Sequence, residues 1–186
     1  MSDIKCSFFG HRKIEVTEEL KNRVTEIVEN LIVQHNVQTF LFGSRSNFDT
    51  LCHLVVTELK EKYVDIKRVC YTCRHETCVL ESERVECERI YGSIYKREVH
   101  LLGVEEEREH KTKYTSAKAS YVERNQAMIC DSDFCVFYYD ENYQPEMRRY
   151  CKRSVFYQPK SGTALAYKFA MGKRKVVINL FETKKS

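Results

Sequence analysis

Phe134 to Tyr139 reads FCVFYY, six residues that are apolar or aromatic at both odd and even positions. A strand with one wet face would alternate, and a buried helix would keep its apolar character for longer than six residues. A short run apolar on both parities fits a strand covered on both faces, the situation of an interior strand in a parallel sheet. Working outward from it, Cys6–Gly10 (CSFFG), Thr39–Phe42 (TFLF), Ile66–Tyr71 (IKRVCY) and Val176–Leu180 (VVINL) have the same short apolar character.

Helical patterns fill the gaps. Thr17 is placed to cap a helix whose first turn carries Glu18 and Glu19, and Leu20, Val24, Ile27, Val28 and Leu31 follow at helical spacing. A second helix is expected from Phe48, with Leu51, Leu54, Val55 and Leu59 on one stripe. A third is expected over Ser116–Cys130, with Ala117, Tyr121 and Met128 sharing a face. A fourth is expected over Gly162–Met171, closed by Gly172. Glu81–Tyr95 also has helical character, whereas Lys96–Thr115 is too charged to assign.

Strands alternating with amphipathic helices define an α/β chain, a Rossmann-like parallel sheet with helices on both faces. Its 186 residues suit one domain spanning 1–186, with 42% hydrophobic and 31% charged residues and no internal repeat. No apolar run is long enough to cross a bilayer, and Met1–Lys5 lacks the layout of a signal peptide. The expectation is a cytoplasmic protein without a membrane partner. Nine cysteines then read as reduced thiols, mostly small buried hydrophobes.

In such a sheet, ligands bind beyond the carboxyl ends of the strands. Four places meet that condition: Gly10-His11-Arg12, Gly43-Ser44-Arg45, Tyr139-Asp140, and the loop Lys160-Ser161-Gly162-Thr163 that opens the last helix. Three of them pair a glycine with cationic or hydroxyl donors, and the last adds the unpaired N–H groups of a helix N-terminus, a ready anion site. Asp49 could accept from a ribose hydroxyl, or could sit as a carboxylate at a helix start.

The segments CSFFGHRK, FGSRSNFDTLCHLVV, YVERNQAMICDSDFCVFYY and SGTALAYKFA, in that order, resemble the motifs of the SLOG superfamily. That group takes in the Smf/DprA proteins and the "lonely guy" (LOG) enzymes, and the likeness is strongest to its bacterial YpsA-like branch. The resemblance implies a Rossmann-like fold, a nucleotide or ADP-ribose-like ligand with no further cofactor required, and a homodimer. It implies ligand contacts from Gly10, Arg12, Gly43, Arg45, Asp49, Arg124, Ser161, Gly162 and Thr163, beside His11 and Ser44. Asn47 stands where the branch often has glycine. The enzymes of the superfamily cleave a base from a ribose phosphate with an arginine and a glutamate. Here Glu123 and Arg124 match the arginine motif, but Ala166 occupies the glutamate position, so the resemblance implies binding rather than that catalysis. Without the resemblance, Glu123 and Arg124 would read as a solvated pair on a helix surface.

Two other readings come from other classes. Cys70, Cys73, Cys78 and Cys87 surround a CxxC and could supply zinc ligands, although the CxxC begins inside an expected strand. Met147–Lys160 (MRRYCKRSVFYQPK) mixes basic and aromatic residues, as single-stranded nucleic acid would need, or as an ordinary strand pair would carry.

Overall fold

A computed structural model of the chain describes residues 3–43, 46–73, 76–78, 97–99, 104–111, 117–149, 156–157 and 159–181. In chain order the elements are β1 (Ile4–Gly10), α1 (Glu18–His35), β2 (Val37–Phe42), α2 (Asn47–Lys60), β3 (Lys67–Cys73), β4 (Glu76–Cys78), β5 (Arg97–Val99) and β6 (Glu106–His110). They continue with α3 (Ala117–Asp131), β7 (Phe134–Tyr138), β8 (Arg148–Arg149), β9 (Phe156–Tyr157), α4 (Gly162–Gly172) and β10 (Val176–Asn179). The expected helix at 81–95 falls outside the described residues.

Six strands form one sheet in the order β10-β7-β1-β2-β3-β6. Every neighbouring pair in it is parallel. The chain builds from β1 through β2 and β3 to β6 in one direction. It then crosses back through α3 to lay β7 on the other side of β1. The fold is therefore Rossmann-like, with its change of direction between β1 and β7.

Alternation along each strand divides the core into two layers. Cys6 and Phe8 of β1, Phe40 and Phe42 of β2, and Val136 of β7 pack with Leu20, Val24, Val28 and Leu31 of α1 and with Phe48, Leu51, Cys52 and Val55 of α2. Phe9, Leu41, Val69, Cys135 and Phe137 face the other way, toward Met128 and Ile129 of α3 and Ala166 and Ala170 of α4. Val136 lying with one layer and its neighbours Cys135 and Phe137 with the other explains why FCVFYY is apolar at both parities. Burial pushes the thiols of Cys6, Cys52 and Cys135 upward, the last to about 11, so these three remain protonated.

The helix ends follow from local chemistry. Thr17 accepts from the Leu20 N–H at 3.2 Å, as expected, and α1 stops at Asn36, whose φ of 51° only a few residue types tolerate. Three expectations change. Leu54 is 48% exposed and lies off the buried stripe of α2. Gly172 is the last residue of α4 rather than its stop, and the left-handed residue is Arg174, at φ 54°. The charged stretch left unassigned contains β5 and β6, and β6 pairs with β3 through Glu106, Glu107, Arg108, Glu109 and His110. Among the described residues no helix is long and apolar enough to cross a membrane.

A titratable side chain is buried on the packed face of α2. His53 of α2 sits edge-on to Phe42, and its Nε2 is buried without a hydrogen-bond partner. Burial, with the positive charge of Arg68 added, holds it at about 4 against an ordinary 6.5. The unfolded chain binds a proton at this side chain near pH 6.5, whereas the folded chain resists it until about pH 4. This contribution to stability is complete above pH 6.5 and drains away as pH falls toward 4, by about 3 kcal/mol in all. Urea unfolding across that window should show the loss, and a His53→Phe variant should show a flatter profile.

Candidate functional site at the strand order reversal

A cavity of about 500 Å³ opens where the β1 and β7 carboxyl ends diverge. That volume falls within the range of small-molecule sites. Among the described residues its walls come from four segments and from Ser46, the N-cap of α2. The loop after β1 contributes Gly10, His11, Arg12 and Lys13, and the loop after β7 contributes Tyr143, Pro145, Glu146 and Met147. Helix α3 presents Lys118, Tyr121, Val122, Arg124 and Asn125, and the start of α4 presents Pro159 through Thr163.

Ser161 is the N-cap of α4, its hydroxyl accepting from the Ala164 N–H at 3.3 Å. The first N–H groups of such a helix have no intrahelical acceptor, so its positive end is presented to the cavity. A Cβ added at Gly162 would meet nothing within 4 Å. The backbone is thus open to close approach at this one position of the turn.

His11 is 2% exposed yet lines the cavity. Its Nε2 faces the Asp140 backbone, 3.0 Å from the nitrogen and 3.3 Å from the carbonyl oxygen; the Nδ1–H tautomer accepts from the first and the Nε2–H tautomer donates to the second. That Nδ1 is buried and has no hydrogen-bond partner. Burial lowers the imidazole's pKa, with the Asp140 backbone bond and charge working against the shift, so the ring is neutral at pH 7. Tyr143 stacks on it with ring centroids 3.9 Å apart. Lys13 and Glu146, both exposed, pair at 3.0 Å and tie the same two loops together, a contact worth little by itself.

Arg124 is 1% exposed and heads the largest fully buried side chains. Its guanidinium donates to Asn125 Oδ1 at 3.1 and 3.3 Å and lies 5.6 Å from the centre of the Tyr121 ring. The surface-pair reading of Arg124 therefore fails. A buried guanidinium at a cavity wall costs desolvation that a solvated helix charge never meets. Glu123 is part-buried and is not among the lining residues.

The remaining expected residues are placed differently. Gly43 lies outside the lining, and a Cβ there would come within 2.4 Å of Met128 Sδ and 3.2 Å of Arg124 Nε. Its bareness makes room for α3 rather than for a ligand. Asp49 is 1% exposed and is also absent from the lining. Its N–H donates to Ser46 Oγ at 2.9 Å, and the Ser46 hydroxyl donates back to Oδ2 at 2.6 Å, a reciprocal cap at the start of α2. Asn47 is the first residue of that helix and has no left-handed backbone. Its N–H and side chain instead bond the carbonyls of Arg12 and Ile14 at 3.1 and 3.2 Å, fastening α2 to the loop after β1. Ser44 and Arg45 lie outside the described residues.

Cys70 and Cys73 are both buried on β3, and residues three apart on a strand point to opposite faces. They do not converge on one metal ion, and the side chains of Cys78 and Cys87 lie outside the described residues. Among the described residues, no three His, Cys, Asp or Glu side chains are placed to hold a metal. In Met147–Lys160, Arg148–Arg149 and Phe156–Tyr157 form a short antiparallel strand pair.

Sequence reasoning missed Lys118, Tyr121, Asn125 and Tyr143. Lys118, Tyr121, Val122 and Asn125 fall at i, i+3, i+4 and i+7, the spacing of one helix stripe, and Arg124 is adjacent to it. Tyr143 lies a few residues beyond a strand end that was already marked.

No protein-family model matches the chain, and the search of curated proteins returns no match. Fold and cavity together define a Rossmann-like α/β protein with a ligand-sized cavity at its topological switch point.

The two packed glycines should respond differently to a methyl group. At Gly10 the added Cβ would meet Phe48 Cβ at 2.3 Å, close to the helix backbone, whereas at Gly43 the nearest atom is the flexible end of Met128. Gly10→Ala should cost about 1–3 kcal/mol by overpacking. Gly43→Ala should cost less in stability. Denaturant midpoints of the two variants check the order.

Proposed function

We propose that the chain is a SLOG-type protein that binds a nucleotide or nucleotide-derived small molecule, as a sensor or ligand-binding protein rather than a hydrolase. The observation that carries this reading is the convergence of an open helix N-terminus at Ser161–Thr163, a buried Arg124 and a neutral His11 on one cavity at the switch point. Helix N-termini suit phosphate, and a guanidinium can engage it in two bonds. Tyr121 and Tyr143 supply flat surface for a base.

Ala166 supports binding over base cleavage. It is buried in the apolar layer with Ile129 and Phe137, where no carboxylate acts. The same reading makes the protein a cytoplasmic homodimer of the YpsA-like branch.

Thermal-shift titration with AMP, ADP, ADP-ribose, cyclic nucleotides and NAD tests the proposal, with the ligand recovered by chromatography. A shift with intact ligand is expected, because a ligand of the native state raises its melting temperature by mass action. Released base would make the protein an enzyme, and no shift from any of them would remove the nucleotide reading.

Gly162→Asp gives the sharper check. Open space surrounds the position, and a carboxylate in the first turn favours the helix, so the variant should fold. Repulsion between unit charges about 4 Å apart near a protein surface is about 4 kcal/mol, enough to abolish measurable phosphate binding. Gly162→Ala should retain it. Calorimetric titration of both variants distinguishes charge from bulk.

A further inference from the structure

His11 carries an atom that the fold leaves without a partner. The residue is almost wholly buried and lines the cavity, and its Nδ1 has no hydrogen bond within the protein. A buried polar atom left unmatched is costly, and native structures seldom keep one without a use. At a cavity wall, the missing partner is a ligand atom.

The rest of the ring is held. Nε2 is turned to the Asp140 backbone, within reach of both its N–H and its carbonyl. Tyr143 covers one face of the ring, and Tyr139 lies tilted with its centroid 5.9 Å away. Turning the imidazole to find Nδ1 another partner would give up these contacts.

The tautomer couples the bond to Asp140 to the kind of ligand atom that Nδ1 can meet. With the proton on Nδ1, Nε2 accepts from the Asp140 N–H and Nδ1 is a donor. With the proton on Nε2, it donates to the Asp140 carbonyl and Nδ1 is an acceptor. One bond to Asp140 survives either way, so the ring keeps its anchor in both states. The surroundings choose between them. Ser161 caps α4 in the same cavity, and the first N–H groups of that helix favour negative charge beside them. An anionic oxygen requires a donor, and a bond to it is charge-assisted.

Resting on the nucleotide reading above, we infer that His11 is a ligand-binding residue, whose Nδ1–H donates to a phosphate oxygen while Nε2 accepts from the Asp140 N–H. An N–H aimed at Nε2 leaves no place there for a second ring proton, and burial also opposes the imidazolium. His11 therefore contributes a directed neutral donor rather than a charge.

Nitrogen-15 NMR of the full chain labelled at histidine tests this, with AMP, ADP and ADP-ribose added at neutral pH. Contact with the Tyr143 ring identifies His11 among the six histidines. The bound state should show a protonated Nδ1 and a bare Nε2, with the Nδ1 signal moved by each nucleotide. Adenosine, which lacks phosphate, should leave that signal in place. The Nε2–H tautomer or the imidazolium in the complex would overturn the inference, as would an equal response to adenosine. Two variants add a second readout. In His11→Asn the side-chain amide falls where Nδ1 was and keeps a donor there, whereas in His11→Gln it falls where Nε2 was. Calorimetric titration with ADP-ribose should show a loss of affinity of about tenfold or more for His11→Gln, and a smaller one for His11→Asn. Equal or reversed losses would count against the Nδ1 donor and leave the nucleotide site standing. If the folded chain binds none of the three nucleotides, the reading beneath this inference fails and takes it along.

Discussion

β1 hydrogen-bonds in parallel to β2 on one side and to β7 on the other, and the rest of the molecule is arranged by that double pairing. Because its two neighbours belong to opposite directions of chain travel, the loops that leave β1 and β7 part from one another above the sheet. The gap they leave is the cavity. Asp133 sets the start of the arrangement. It accepts the Lys5 N–H on its side chain and donates its own N–H to the Lys5 carbonyl, both at 2.9 Å, while its carbonyl takes the Val176 N–H at 3.3 Å. One residue thereby aligns β1, β7 and β10 at their amino ends, and the register carries to the carboxyl ends where Gly10 faces Tyr138.

The two apolar layers give this arrangement its stiffness. Stacked phenylalanines on successive strands, Phe8 with Phe42 and Phe9 with Phe137, lie on opposite faces of the sheet within 5.2 Å and 5.0 Å of their partners. A floor of that kind admits no water and little rearrangement. Polar groups at its upper rim, such as Arg124 and His11, are therefore oriented by protein rather than by solvent. Preorganised donors of this sort bind without the ordering cost a flexible loop would incur.

The fold was legible in the sequence wherever burial was symmetrical. CSFFG, TFLF and FCVFYY are interior strands flanked by helices on both faces, and nothing but a strand explains so short a run. β6 was not legible, because a strand that pairs on one side alone among the described residues needs no apolar run, and EEREH carries the charge of its exposed position. The site was legible in part, for a related reason. Glycine in a loop beyond the sheet signals close approach without saying what approaches: at Gly10 it is Phe48, at Gly43 it is Met128 and Arg124, whereas Gly162 is open. Likewise a helical Glu-Arg pair looks solvated until the tertiary fold buries the arginine. Asp49 allowed two readings, a ribose acceptor or a carboxylate at a helix start, and its bonds to Ser46 fit the second.

The charges of β6 have a consequence for assembly. Two copies of this chain joining their sheets through β6, antiparallel about a twofold axis at Arg108, would set arginine against arginine and Glu107 against Glu109. Opposed like charges on adjacent strands are repulsive, so self-pairing in this register is disfavoured.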